Sequence, residues 1–119
     1  PLAAATGQEA RAHIAARTRR GLELIALDKV FFFAADQKYV TVYHEGGETL
    51  IDDTLKELEQ EFGGRLVRTH RSALVVLDRV EAMEKSRSGQ FELRLAGTGQ
   101  RPAVSRRHAG HLRELLSRL

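Results

Sequence analysis

The chain has 119 residues, with 19 Lys and Arg against 16 Asp and Glu, no cysteine and a formal net charge of +3. That length suits one domain with a sizeable core, and without cysteine neither a disulfide nor a thiolate-held metal can brace it. The longest apolar runs, "LIAL" and "VFFFAA", are too short to cross a bilayer and the N-terminus lacks the layout of a signal peptide, so a cytoplasmic protein without membrane contact is expected. Position 1 is Pro rather than Met, which suggests a piece of a longer protein.

The charge is segregated along the chain. Residues 45–61 hold seven acids and one base, net −6, whereas residues 62–113 hold eleven bases and four acids, net +7. Segregation of this kind can build a positive face that concentrates polyanions, although a charge run is also what an ordinary solvated surface looks like.

In chain order, residues 1–12 read as linker and residues 13–119 as the domain. A strand is expected from His13, with helix as an alternative, and another at "LELIAL" (22–27), where Leu22, Leu24 and Ala26 fall on one side and Glu23, Ile25 and Leu27 on the other. "VFFFAA" (30–35), "YVTVYH" (39–44) and "ETLID" (48–52) are strand formers separated by short polar turns, which argues for antiparallel neighbours, with Glu45-Gly46-Gly47 as a hairpin turn. In "TLKELEQEF" Leu55, Leu58 and Phe62 recur at helical spacing, and Thr54 with Glu57 has the spacing of a capping box. The acids of this helix lie opposite its leucines, so its outer side should repel phosphate. "RLVRTHRSALVV" is strand-like around a polar "THRS" bend, and "RVEAMEKS" and "FELRL" read as a hairpin. A short extended "RPAV" leads to a final helix, where Ser105 can cap and Ala109, Leu112, Leu115, Leu116 and Leu119 form an apolar stripe. The sum is mainly β, with a short internal helix and a C-terminal helix.

Catalytic chemistry finds little support. No histidine stands in a metal-protease or nucleophile-elbow context. His108 and His111 are three apart, but Arg106, Arg107 and Arg113 crowd them, which disfavours a metal. Asp52 and Asp53 suit the positive end of the helix they precede, and "GTG" (97–99) opens no phosphate-binding helix. No enzyme activity, cofactor or metal is therefore expected. Phe31 to Phe33 could stack bases but suit a core better.

Two basic clusters remain: Arg68, His70 and Arg71, and Arg106 with Arg107 ahead of the last helix. Arginine bridges phosphate oxygens or reads guanine with a two-pronged contact. Two arginines at a helix N-terminus work against the helix dipole, a conflict that an arriving anion would relieve.

With "KYVTV", the "L-x-x-L-x-x-x-F" helix, "RTHRS" and "SRR" in this order and spacing, the chain from about His13 to Leu119 resembles a LytTR DNA-binding domain, and "AHIAARTRRGLELIALDKVFFFAADQKYVTV" resembles the alginate-regulator branch. The resemblance implies an elongated fold of about ten short strands whose loops enter successive major grooves on bent double-stranded DNA, as the output domain of a two-component response regulator. A receiver domain would lie N-terminal, and paired repeats bound by a homodimer would follow. Three contact regions carry over: Lys38 and Tyr39 in "DQKY", His70, Arg71 and Ser72 in "THRS", and Ser105, Arg106 and Arg107 in "SRRH". Arg71 and Arg106 are the expected base readers, while Lys38, Tyr39, Arg68 and Arg107 are expected on phosphate or in mixed contacts. His70 either orients its loop or is a buried strut. The family usually shows a larger residue at Ala73 and an asparagine at Val76.

Two rival functions make different predictions. A β-rich protein-interaction or ligand-sensing module would show little salt-dependent duplex binding. A sequence-indifferent RNA binder using Phe31 to Phe33 and Tyr39 as stacking platforms would prefer single strands and expose those phenylalanines.

Overall fold

The computed structural model describes residues 13–119; the expected linker, residues 1–12, lies outside them. Ten strands and two α-helices follow one another: β1 (His13–Thr18), β2 (Gly21–Ala26), β3 (Val30–Ala35), β4 (Val40–His44), β5 (Gly47–Ile51), α1 (Leu55–Phe62), β6 (Leu66–His70), β7 (Ala73–Val76), β8 (Val80–Lys85), β9 (Phe91–Leu95), β10 (Ala103–Val104) and α2 (Arg106–Leu116). The mainly β architecture with one internal and one C-terminal helix is the one expected, and with extents of 42 × 33 × 24 Å it is elongated.

A five-stranded sheet ordered β5-β4-β3-β7-β6 forms the middle layer, with the β1–β2 hairpin and a three-stranded β10-β9-β8 sheet as separate units. All pairs are antiparallel. Both faces of the central sheet are covered, so its strands are apolar on both sides. One core joins Phe33, Val42 and Leu74 to Ile14 and Ile25 of the hairpin and to Leu55, Leu58 and Phe62 of α1. The other joins Phe31, Phe32, Val67 and Val75 to Leu93, Leu95, Val104 and, on α2, Ala109 and Leu112.

The three phenylalanines are all core: Phe31, Phe32 and Phe33 are at most 7% exposed. Strict alternation would put neighbours on opposite faces. A register shift between Val30 and Phe32 lets Phe31 and Phe32 enter the same core while Phe33 enters the other. Phe32 stacks on Tyr43 with ring centroids 4.5 Å apart. Phe31 to Phe33 therefore offer no platform for stacking single-stranded bases.

Local signals translate closely in the middle of the chain. Thr54 accepts from the Glu57 N–H at 3.1 Å while the Glu57 carboxylate accepts from the Thr54 N–H at 2.9 Å, which closes the capping box. His44 pairs with Gly47 across the Glu45-Gly46 turn, and of these two glycines only Gly47 takes a positive φ, 125°.

Two expectations need correction, those for Leu119 and Ser105, and one point the sequence left open is decided, the inner face of β2. On β2 the wholly apolar side is the outer one: Leu22 and Leu24 are 70% and 66% exposed, while Ile25 packs inward opposite Ile14. A hairpin in two-layer contact buries only one face, and here Ile14 and Ala16 of β1 choose it. Leu119 lies beyond α2 and is exposed, so the helical stripe stops at Leu116. Ser105 occupies the N-cap position of α2 but its hydroxyl makes no cap bond.

A candidate nucleic-acid interface

The three loops of interest meet at one end of the central sheet because of its strand order. β3 runs toward Ala35 and pairs antiparallel with β4 and β7, with Ala34 opposite both Thr41 and Ala73. The connection 36–39 and the Arg71-Ser72 turn therefore leave the sheet side by side. A backbone hydrogen bond from the Ala35 N–H to the Ser72 carbonyl, 2.8 Å, ties them together.

The first loop is held by Asp36, whose carboxylate accepts from the N–H groups of Lys38 and Tyr39, both at 2.9 Å. These bonds, Tyr39 first, hold the Asp36 carboxyl below the usual carboxylate range. Such an Asx arrangement is a local turn lock, and it presents Lys38 and Tyr39 to solvent, Tyr39 at 47% exposure.

The second loop is braced from two directions. His70 Nδ1 accepts from the Ser72 N–H at 3.2 Å and lies 3.0 Å from Ser72 Oγ. Of the two readings left open for His70, this geometry is that of a loop brace, since the ring is only half-buried. Arg68, expected on phosphate, is instead engaged within the protein: one guanidinium nitrogen donates to the Arg71 carbonyl at 2.9 Å and the other pairs with Glu59 at 2.6 Å. Its side chain is 23% exposed, and its buried Nε has no hydrogen-bond partner. The acidic side of α1 thus has a second use, since Glu59 anchors the arginine that fixes the Arg71 turn.

Thr69, which nothing in the sequence singled out, links the second region to the third. It is the one buried polar residue among those described, with its hydroxyl donating to the Ala103 carbonyl at 3.1 Å. Its own carbonyl accepts from the Ser105 N–H at 2.9 Å. The start of α2 is thereby pinned to β6. Ser105 Oγ lies 2.7 Å from His108 Nδ1 rather than on a backbone donor, so it does not cap the first N–H groups of α2. The His108 imidazole titrates below its ordinary value because of partial burial and, after that, the nearby charges of Arg107, Arg68 and His70.

Pairing sorts the cations. Arg65, Arg68, Arg79, Arg94, Arg101 and Arg118 each have an acidic partner. Among the described residues the side chains of Lys38, Arg71, Arg106 and Arg107 have none, and all four are exposed. Arg71 shares one concavity with Lys38 and Tyr39 and another with Arg107 and His108, while His70 shares a third with Ser105 and Arg106. The first two concavities also share Arg68, and a further one holds His70 with Ser72. Sequence reading passed over Asp36, Glu59 and Thr69; for Asp36 the i to i+2 and i+3 spacing before "KY" was a usable signal, whereas Glu59 and Thr69 act through contacts distant in sequence.

Ala73 and Val76 are both buried strand residues of β7. Ala73 lines a concavity with His70, Ser72 and Phe32, so a small residue there leaves space under the bend.

Residues 20–117 match the LytTr DNA-binding domain family, and the chain belongs to that family. It is 50% identical over 117 residues to the positive alginate biosynthesis regulatory protein of Pseudomonas aeruginosa, covering 98% of this chain and 47% of that protein. The chain thus spans about half the length of this curated relative. A solved LytTr DNA-binding domain from Bacillus cereus superposes with a TM-score of 0.79 at 25% identity, covering 89% of this chain and 97% of that one. Among the described residues no helix is long and apolar enough to cross a membrane.

Proposed function

We propose that this DNA-binding domain reads specific double-stranded sites through three loop regions, as the cytoplasmic output domain (residues 13–119) of a two-component transcriptional regulator whose receiver domain precedes the 1–12 linker. The observation that carries this reading is the joining of the 36–39 loop, the Arg71-Ser72 turn and the α2 N-terminus by backbone and Thr69 hydrogen bonds, with their cations left unpaired. Cations left without an ion pair along one edge gain by meeting phosphate, which releases condensed counterions from DNA.

In this reading Arg71 and Arg106 address base edges in successive major grooves. Lys38, Tyr39 and Arg107 hold the backbone, aided by the free N–H groups at the start of α2. Arg68 acts as a positioning residue, fixing the Arg71 carbonyl from Glu59, and His70 and Ser72 hold the shape of the turn. The domain as a whole sits on paired repeats as a dimer. If about six phosphates are neutralised, log K falls against log salt with a slope near −5.

Selection of duplexes from a random pool, followed by Arg71→Ala and Arg106→Ala on the selected site, tests the reading. Each variant is expected to lose selectivity at its own position. Variants that bind like the parent would remove these residues from the site.

A further inference from the structure

The hairpin between β8 and β9 carries a basic residue that the three-loop description does not use. Arg87 is exposed at the tip of "SRSGQ" and has no acidic partner among the described residues. The acids on the strands below it are engaged: Glu81, Glu84 and Glu92 all pair with Arg94 or Arg101. The tip thus keeps its positive charge while the stem is neutralised.

The tip is also rigid. Ser86 donates its N–H to the Gln90 carbonyl at 2.7 Å and accepts the Gly89 N–H at 2.9 Å, and Ser86 Oγ lies 2.9 Å from Ser88 Oγ. Gly89 closes the turn at φ 89°, a conformation that a side chain would resist. At the base of the tip both Lys85 and Arg113 place a cation over the Phe91 ring, 5.4 and 5.5 Å from its centroid, which joins the hairpin to α2.

Register fixes where the tip points. Phe91 pairs with Val104 antiparallel, and continuing that register past the last pair brings Ser105 and Arg106 beside Gln90 and Gly89. Ser88 to Phe91 and Ser105, Arg106 and His70 do line one concavity. We infer that the β8–β9 tip is a fourth DNA-contact element, with Arg87 gripping a phosphate at the flank of the site beyond Arg106. The inference rests on the duplex-reading proposal above and adds a sequence-independent clamp to it. A preorganised turn loses little conformational freedom on binding, so the contact is retained largely as affinity.

Titration of the selected duplex over a range of salt, with the parent chain, Arg87→Ala and Arg87→Lys, tests this. Removing one phosphate contact lowers affinity about fivefold at 0.15 M salt and makes the salt slope shallower by about 0.9. The loss should be equal on selected and scrambled duplexes, Arg87→Lys should keep the parent slope, and the thermal midpoint should not move. Trimming the duplex from one end only should close the gap between parent and Arg87→Ala. If Arg87→Ala matches the parent in affinity and slope while the parent still prefers its selected site, the hairpin contact is wrong and the duplex reading stands. A loss confined to the selected sequence would overturn the phosphate assignment, and a parent without duplex preference would remove the reading beneath it.

Discussion

The arginines of the β8–β9–β10 sheet and those of the loop edge are the same residue in opposite circumstances. Arg94 and Arg101 lie among Glu81, Glu84 and Glu92, and the Arg101 hydrogen bond holds the Glu84 carboxyl below its usual range. Arg71, Arg106 and Arg107 form no ion pair among the described residues, and Glu59, which shares a concavity with Arg71 and Arg107, is occupied by Arg68. Along the chain all of these belong to one basic block. The comparison teaches that a count of charge says less about a binding face than which charges the fold leaves without a partner.

The largest effects should come from the unpaired set. Arg71→Ala and Arg106→Ala should each weaken binding to the selected site by about 1–3 kcal/mol, measured by fluorescence anisotropy. Arg106→Ala carries a second signature. An arginine at the first position of α2 opposes the helix dipole, so its removal should raise unfolding stability by about 0.3–1 kcal/mol while binding falls. A variant that loses both together would point to damage rather than to a lost contact.

Next comes the brace. Arg68→Met removes the link from Glu59 to the Arg71 carbonyl and should cost about 1 kcal/mol of stability, a figure kept low because Glu59 remains partly in water. Specific binding should drop with it, but the salt slope should stay near the parent value, because a positioning residue takes no phosphate. A slope reduced by about one would return Arg68 to the phosphate set.

A smaller effect is expected from pH. The His108 pKa lies below its ordinary value in the folded chain, so the unfolded chain takes up protons that the folded one refuses. The stability this contributes is whole above about pH 6.5 and declines on acidification. Phosphate beside Arg107 would act in the other direction by favouring the imidazolium, so duplex affinity should rise as pH falls from 7 to 5.5. His108→Gln should flatten both trends in unfolding and binding titrations. The smallest effect on site preference belongs to the paired set: Arg94→Ala and Arg101→Ala should keep the parent's preference for the selected site, with only the small loss of affinity that freed Glu81, Glu84 and Glu92 impose below Arg87.

Much of the fold was legible because its signals are local. The capping box of Thr54 and Glu57, the alternation in Phe91, Leu93 and Leu95 and the strand-turn rhythm from Val30 to Ile51 each specify their element over a few residues. The outer face of β2 was not, because Leu22, Leu24 and Ile25 look alike in sequence and only the packing of β1 decides which is buried. The candidate site was half legible. Arginine-bearing bends can be read from the chain, but which arginine becomes a brace depends on Glu59, nine residues from Arg68 on another element, and on Thr69 reaching Ala103 across 34 residues. The same limit hid the hairpin tip, since Arg106 comes to share a concavity with Ser88 and Gly89 only through strand pairing.

The most direct test is a side-by-side salt titration on one selected duplex, with the Arg71→Ala/Arg106→Ala double variant set against Arg94→Ala/Arg101→Ala. The account predicts that the first pair loses site preference and has a shallower slope, while the second pair keeps the parent's site preference. Equal losses in both pairs would mean that net positive charge, rather than the unpaired edge, governs binding, and would contradict it.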